Sequence, residues 1–231
     1  MNILLKGIVG STAYGMATEE SDIDMIGVFA HPTMEMFRLS TPQKSIVTTK
    51  PDMTLHEVQK FCELALKCNP TVTEVLWLED YEEQSSWGRR LIHLRDAFLS
   101  APAVRNSYIG YAMQQWEKLL RRAQEGKDGF GDVASKRTEK HARHIKRLGD
   151  QGRQLYTTGQ LTVRLADPQS YLDFGQRVAQ DPQEAHEYLA VLREDFDTLE
   201  SVLPSRPDRA GVEEWLGSFR RRMLLEETGG A

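Results

Sequence analysis

Apolar and polar positions along this chain follow two rhythms, first that of strands and then that of helices. Residues 3–9 are apolar apart from Lys6 and run into Gly10, which predicts a short buried strand. Ser11 to Tyr14 fits one turn of helix with Ser11 as its cap. Ser21 to Ala30 carries β-branched and aromatic residues and predicts a second strand, ended by His31-Pro32. Pro32 to Pro42 reads as irregular, and residues 44–50 have the composition of a third strand, which Pro51 ends. Leu55, Val58, Phe61, Cys62, Ala65 and Leu66 then fall at helical spacing. Thr54 and Glu57 make a T-x-x-E capping pattern at the start of that helix, and Asn69-Pro70 stops it. Thr73 to Leu78 suits a further short helix.

From about Trp87 the helical rhythm takes over. Ala103 to Gln124 places Tyr108, Tyr111, Ala112, Trp116, Leu119 and Leu120 on one wide stripe. Three glycines between Gly126 and Gly131 predict a loop. Val133 to Tyr156 predicts a second long helix, softened at Gly149 and Gly152, and Gln160 to Arg164 fits neither rhythm clearly. Asp167-Pro168 and Asp181-Pro182 each open a helix with proline at its start, the second running to Val202. Val212 to Leu225 reads as a last helix, followed by a frayed tail from Thr228. The expected fold is therefore α+β: a small mixed sheet with helices over residues 1–86, then an all-helical part over 87–231.

Composition narrows the function classes. At 40% hydrophobic and 27% charged residues, the chain matches an ordinary soluble globular protein. A formal net charge of −5 argues against a generally basic nucleic-acid binder and leaves room for a local basic patch. Cys62 and Cys68 lie six apart, a spacing that suits neither zinc nor a disulfide framework, so both read as free thiols in a reducing compartment. The opening MNILLKGIVG is too short in its apolar part for a signal peptide, and no apolar run approaches a membrane span. The expected location is cytoplasmic.

Chemistry concentrates between Gly10 and Asp24, GSTAYGMATEESDID. On a strand, Asp22 and Asp24 would share one face, and two adjacent carboxylates repel unless a cation neutralises them. Gly10 offers backbone amides with no side chain in the way, and a helix beginning at Ser11 would turn its positive end to the same place. Ser11 Oγ adds a further donor. Magnesium favours a few carboxylates plus phosphate oxygens, and two such ions about 3.5–4 Å apart suit phosphoryl or nucleotidyl transfer. Asp52 is the candidate third carboxylate, because it follows the third strand and can sit at the edge of the strand bearing Asp22 and Asp24; Thr54 can cap the following helix in its stead. D-x-D pairs and Gly-Ser turns are each common alone; Gly-Ser closing one strand and D-x-D opening the next is far more specific.

These residues resemble the nucleotidyltransferases of the DNA polymerase beta superfamily, marked by Gly-Ser, a spacer and Asp-x-Asp. The closer resemblance is to a bacterial and phage group of predicted nucleotidyltransferases associated with RNA repair. Gly10-Ser11, Tyr14-Gly15, Ser21, Asp22, Asp24 and Gly27-Val28 match its first segment, and Asp52, Thr54, Lys60-Phe61, Asn69-Pro70 and Glu74 its second. Lys140, His144, Arg147 and Leu148 fit its K-x-x-x-H-x-x-R-L pattern. The similarity covers the chain to about residue 165 and departs from the group at His56-Glu57. It implies transfer of a nucleoside monophosphate from an NTP to an acceptor hydroxyl, with Mg2+ (two ions, Mn2+ as an alternative) held by Asp22, Asp24 and Asp52. It also implies Gly10, Ser11, Tyr14, Lys60, Lys140, His144 and Arg147 as nucleotide-binding residues, and RNA, tRNA included, as acceptor. Asp52 would assist removal of the acceptor proton. A protein or small-molecule acceptor, and a non-catalytic regulatory partner, are the alternatives.

Outside that core the chemistry is weaker. Ser135 to Arg147 holds six Lys or Arg and two His in thirteen residues, and Lys140, His144 and Arg147 share one helical face. That face could bind triphosphate or RNA, although most charge runs are solvated surface. His141 and His144 have a metal-ligand spacing but no third ligand. Lys60 could reach a phosphate or stay solvated, and Glu74 suits a structural anchor. Tyr108, Tyr111 and Trp116 fit core packing better than base stacking, and Arg220-Arg221-Arg222 fits a solvated face.

Overall fold

The computed structural model describes residues 1–19, 21–124 and 132–229. In chain order the elements are β1 (Asn2–Val9), α1 (Gly10–Tyr14), β2 (Asp24–Ala30), β3 (Ser45–Thr49), β4 (Asp52–Glu57), α2 (Val58–Ala65), α3 (Pro70–Thr73), β5 (Glu83–Gln84) and α4 (Ser86–His93). Then come α5 (Ala101–Gln124), α6 (Asp132–Thr158), α7 (Pro168–Gln180), α8 (Gln183–Thr198) and α9 (Arg209–Thr228). The fold is α+β, with a five-stranded mixed sheet in the order β3-β4-β2-β1-β5. The loop expected at Gly126–Gly131, and the last two residues of the expected tail, lie outside the described residues.

Two compact units make up the chain: Met1–Ser100 with Arg206–Ala231, and Ala101–Ser205. The observed division differs from the expected boundary after residue 86, because α4 and α9 both belong with the sheet. Trp87 on α4 meets Trp215 and Phe219 of α9 edge-on at 6.2 and 5.4 Å between ring centroids. Arg220 is paired with the buried carboxylate of Glu57 at the end of β4. Glu227 accepts from the backbone amides of Thr33 and Met34 at 2.7 and 3.0 Å. Arg220 is thus no part of a solvated basic face.

The largest departure from the sequence reading is at Asp52–Glu57. The T-x-x-E pattern there predicts the start of a helix, yet the segment is strand β4, parallel to β2 and antiparallel to β3. A helix there would leave the facing edges of β2 and β3 without hydrogen-bond partners, a larger loss than one capping motif can offset. The helix starts at Val58 instead, and Glu57 caps it by accepting from Gln59 N at 2.8 Å. Its expected apolar face survives: Val58, Phe61, Cys62 and Ala65 are all buried.

In the helical unit, α5 and α6 pair over a seam of Tyr108, Ala112, Leu119, Ala142, Ile145 and Leu148, all buried. Gly149 and Gly152 do not interrupt α6. They let neighbouring rings approach its backbone: an added Cβ would fall 2.8 Å from Tyr188 Cε1 at Gly149, and 2.7 Å from Tyr108 Cβ at Gly152. Asp167 caps α7 by accepting from Ser170 N at 3.3 Å, with proline at the helix start as the sequence predicts. No helix among the described residues is long and apolar enough to cross a membrane. Cys62 and Cys68 are free and buried, and burial pushes their thiols up to about 12 and about 11.

Candidate active site

Strand register builds the site. β1 and β2 are antiparallel with Val9 opposite Asp24, and β2 and β4 are parallel with Asp24 opposite Asp52. The end of β1 and the starts of β2 and β4 therefore form one row at one end of the sheet. Residues paired across neighbouring strands share a face, so Asp24 and Asp52 stand side by side about 4.8 Å apart in backbone terms. Asp24 is half-buried and Asp52 exposed, which puts the pair at the rim rather than in the core.

Gly10 follows Val9 directly and closes this row. Its φ of +69° lies in the left-handed region, where a side chain is strained. A Cβ added there would fall 3.1 Å from Asp24 Cγ and overlap Asp24 Oδ2. The Asp24 carboxylate is thus packed against the bare Cα of Gly10. Ser11 does not cap α1: the cap position is Val9, with no side-chain hydrogen bond, and Ser11 sits half-buried inside the turn. The turn ends at Gly15, φ +76°, where Met16 N donates to Ser11 O at 2.9 Å.

Asp22 is placed differently from the sequence reading. β2 starts at Asp24, so Asp22 precedes the strand, exposed, after a turn in which Ser21 Oγ accepts from Thr18 N at 2.9 Å. The shared strand face invoked for Asp22 and Asp24 is not what relates them; the Asp24–Asp52 register is the stronger pairing. Among the described residues no three His, Cys, Asp or Glu side chains converge on a metal position. The donor chemistry nevertheless fits magnesium, which takes one or two carboxylates and completes its shell with waters and phosphate oxygens. The cradle at Gly10, closed to any side chain, fits the close approach of a phosphate.

Tyr14 is not at the surface of this cradle. It is 3% exposed, and its hydroxyl donates to Glu74 at 2.8 Å, itself only 1% exposed. Its position suits anchoring α1 to the turn after Asn69-Pro70, and Glu74 is the structural anchor its sequence suggested. Lys60 lies towards the other end of β4. Its ammonium donates to Ser45 Oγ at 2.7 Å, and that oxygen lies 2.9 Å from His56 Nδ1. Ser45 pairs with His56 and Thr49 with Asp52, four residues apart, so the two ends are separated by roughly 13 Å of strand. Burial, then the Lys60 charge, lower the His56 pKa.

Lys140, His144 and Arg147 all lie on α6, on one face, but they run from surface to core. Lys140 is exposed, while Arg147 is 6% exposed and donates to Gln151 Oε1 at 2.7 Å. His144 is held neutral, its pKa lowered to about 3 by burial first and then by Arg147, Lys140, His141 and Arg143. His141 Nδ1 is 2.8 Å from Gln115 Oε1. Sequence reasoning missed the parallel pairing that brings Asp52 to Asp24. A partial signal is the polar–apolar alternation of Asp52, Met53, Thr54, Leu55 and His56, which the charged Glu57 breaks.

A comparison with curated proteins returns no match. The model of RlaP, the RNA repair pathway DNA polymerase beta family, matches residues 1–168, from the sheet through α6. That span contains the Gly10-Ser11 turn and all three acidic positions, and the chain belongs to this family.

Proposed function

We propose that this nucleotidyltransferase of the RNA repair group moves a nucleoside monophosphate from an NTP to a hydroxyl at an RNA end. The observation that carries the reading is the row at the sheet end: Gly10 bare against the Asp24 carboxylate, with Asp52 in register beside it. Backbone amides at Gly10 and Ser11 would receive the triphosphate. Mg2+ held by Asp24 and Asp52, with Asp22 from the preceding turn, would supply charge neutralisation at the phosphates. The acceptor oxygen attacks the α-phosphorus in line; the new O–P bond forms as the bond to the β-phosphate oxygen breaks, and pyrophosphate leaves. Asp52, the more exposed of the register pair, takes the hydroxyl proton. Tyr14 and Glu74 act at a distance by holding α1 in place.

The test is label transfer. With Mg2+ and a mixed RNA pool, label from an α-³²P NTP should enter RNA, and label from the γ-phosphate should not. Asp24→Ala and Asp52→Ala should abolish the signal while keeping the parental circular dichroism spectrum. Transfer that persists in both variants would refute the proposed site.

A further inference from the structure

Within the helical unit, four of the described cations are held in ion pairs. Arg105 pairs with Asp197, Lys146 with Asp150, Arg153 with Asp150 and Asp195, and Arg177 with Glu184. Other cations make no ion pair among the described residues: Arg164 and Arg193 singly, and a group on α5 and α6. Lys118 and Arg121 on α5, and Lys136, Arg137 and Lys140 on α6, are all exposed, and none has an ion pair among the described residues.

The helix pairing places these five together. The Gln115–His141 hydrogen bond at 2.8 Å sets level the turns of α5 and α6 that carry it. Lys118 and Arg121 follow Gln115 by three and six residues; Arg137 and Lys140 precede His141 by four and one. In an antiparallel pair those offsets turn to the same side of the seam, opposite to buried Leu119, Ala142 and Ile145. Lys136 flanks the group, four residues from Lys140. Between Gln115 and Arg121, and between Lys136 and His141, the acids are Glu117 and Glu139. Glu117 is exposed, and Glu139 is half-buried with its backbone against Gly175 of α7. Five cations gathered on one face of a chain whose net charge is −5 make a local positive field, not a general one.

We propose that this α5–α6 face binds the phosphate backbone of single-stranded RNA, so that the helical unit holds the acceptor through Lys118, Arg121, Lys136, Arg137 and Lys140. The proposal rests on RNA being the acceptor. Of the Lys140–His144–Arg147 line it keeps only the exposed Lys140, because the line runs into the core at Arg147. Contacts of this kind set affinity and its salt dependence without reading sequence.

The test is fluorescence anisotropy of a labelled, mixed-sequence single-stranded RNA across a KCl series. The full chain is compared with a variant carrying Gln at all five positions. Five phosphate contacts on a single strand correspond to a slope of log K against log[KCl] about 3.5 steeper in the parent, and to weakening on the order of 10²–10³-fold near ~0.1 M salt. Asp24→Ala should bind RNA with the parental slope and transfer no label. If the fivefold variant is poorly folded, Lys118→Gln/Arg121→Gln and Lys136→Gln/Lys140→Gln should each flatten the slope by about 1.4. Parental slopes in the folded variants would overturn the surface; if the parent still labels RNA, the acceptor reading stands without it. A parent that neither binds nor labels RNA overturns both.

Discussion

Replacing Gly10 with alanine perturbs the one position where backbone conformation and the Asp24 carboxylate meet. Two effects add. A φ of +69° costs an L-residue about 1–2 kcal/mol relative to glycine. The new methyl also overlaps Asp24 Oδ2, so the carboxylate or the turn has to move by roughly an ångström. Backbone strain alone should lower the melting temperature of the head by about 2–8 °C. Displacing a catalytic group by about 1 Å is worth on the order of 10²-fold in rate. The assays are thermal unfolding by circular dichroism and the initial rate of α-³²P label transfer. Gly15→Ala is the control: its φ of +76° carries similar strain at the other end of α1, so it should lower the melting temperature comparably with a much smaller loss of rate. A Gly10→Ala protein with parental rate and stability would refute the close packing of Gly10 on Asp24.

Three further outcomes are expected. Arg220→Ala strands the buried Glu57 carboxylate, which should destabilise the head by about 3–5 kcal/mol in urea unfolding; Glu57→Gln/Arg220→Met should lose much less. Tyr14→Phe removes a donor from buried Glu74 and should cost about 1–3 kcal/mol while leaving the KM for NTP unchanged, whereas a nucleotide-contacting tyrosine would raise KM. His144 has a folded pKa of about 3 against about 6.5 unfolded, so below pH 6.5 the unfolded chain binds the extra proton. Stability of the helical unit should then fall by up to about 1.4 kcal/mol per pH unit between pH 6 and 4, and His144→Asn should flatten that slope in pH-dependent urea melts.

Much of this was legible in the sequence, and particular residues show why the rest was not. β1, β2 and β3 announce themselves through apolar and β-branched runs with Gly and Pro at their ends, and Asp167-Pro168 opens α7 where its local chemistry says it should. Those are local signals. Asp52–Glu57 carries a genuine local helix signal that loses to two neighbouring strands, and a linear pattern does not contain those neighbours. Gly149 and Gly152 read as weak points of α6 because the rings of Tyr188 and Tyr108 that pack on its backbone there come from elsewhere in the chain. α9 looks like one more helix of the helical part until Arg220 finds Glu57 and Trp215 finds Trp87. At the candidate site, spacing and resemblance single out Gly10, Asp24 and Asp52; that they share one row is a property of strand order. Spacing puts Lys140, His144 and Arg147 on one face, and burial splits that face, with Lys140 outside and Arg147 inside.

The most direct measurement is a double-mutant cycle on label transfer with Asp24→Asn and Asp52→Asn. The substitutions keep side-chain size and remove charge, so folding should be preserved. If the two carboxylates act as one unit, each single variant should lose on the order of 10³-fold or more in rate, and the double variant should lose little beyond the worse of the two. Losses that multiply, or a folded single variant that retains the parental rate, would contradict a joint site at Asp24 and Asp52.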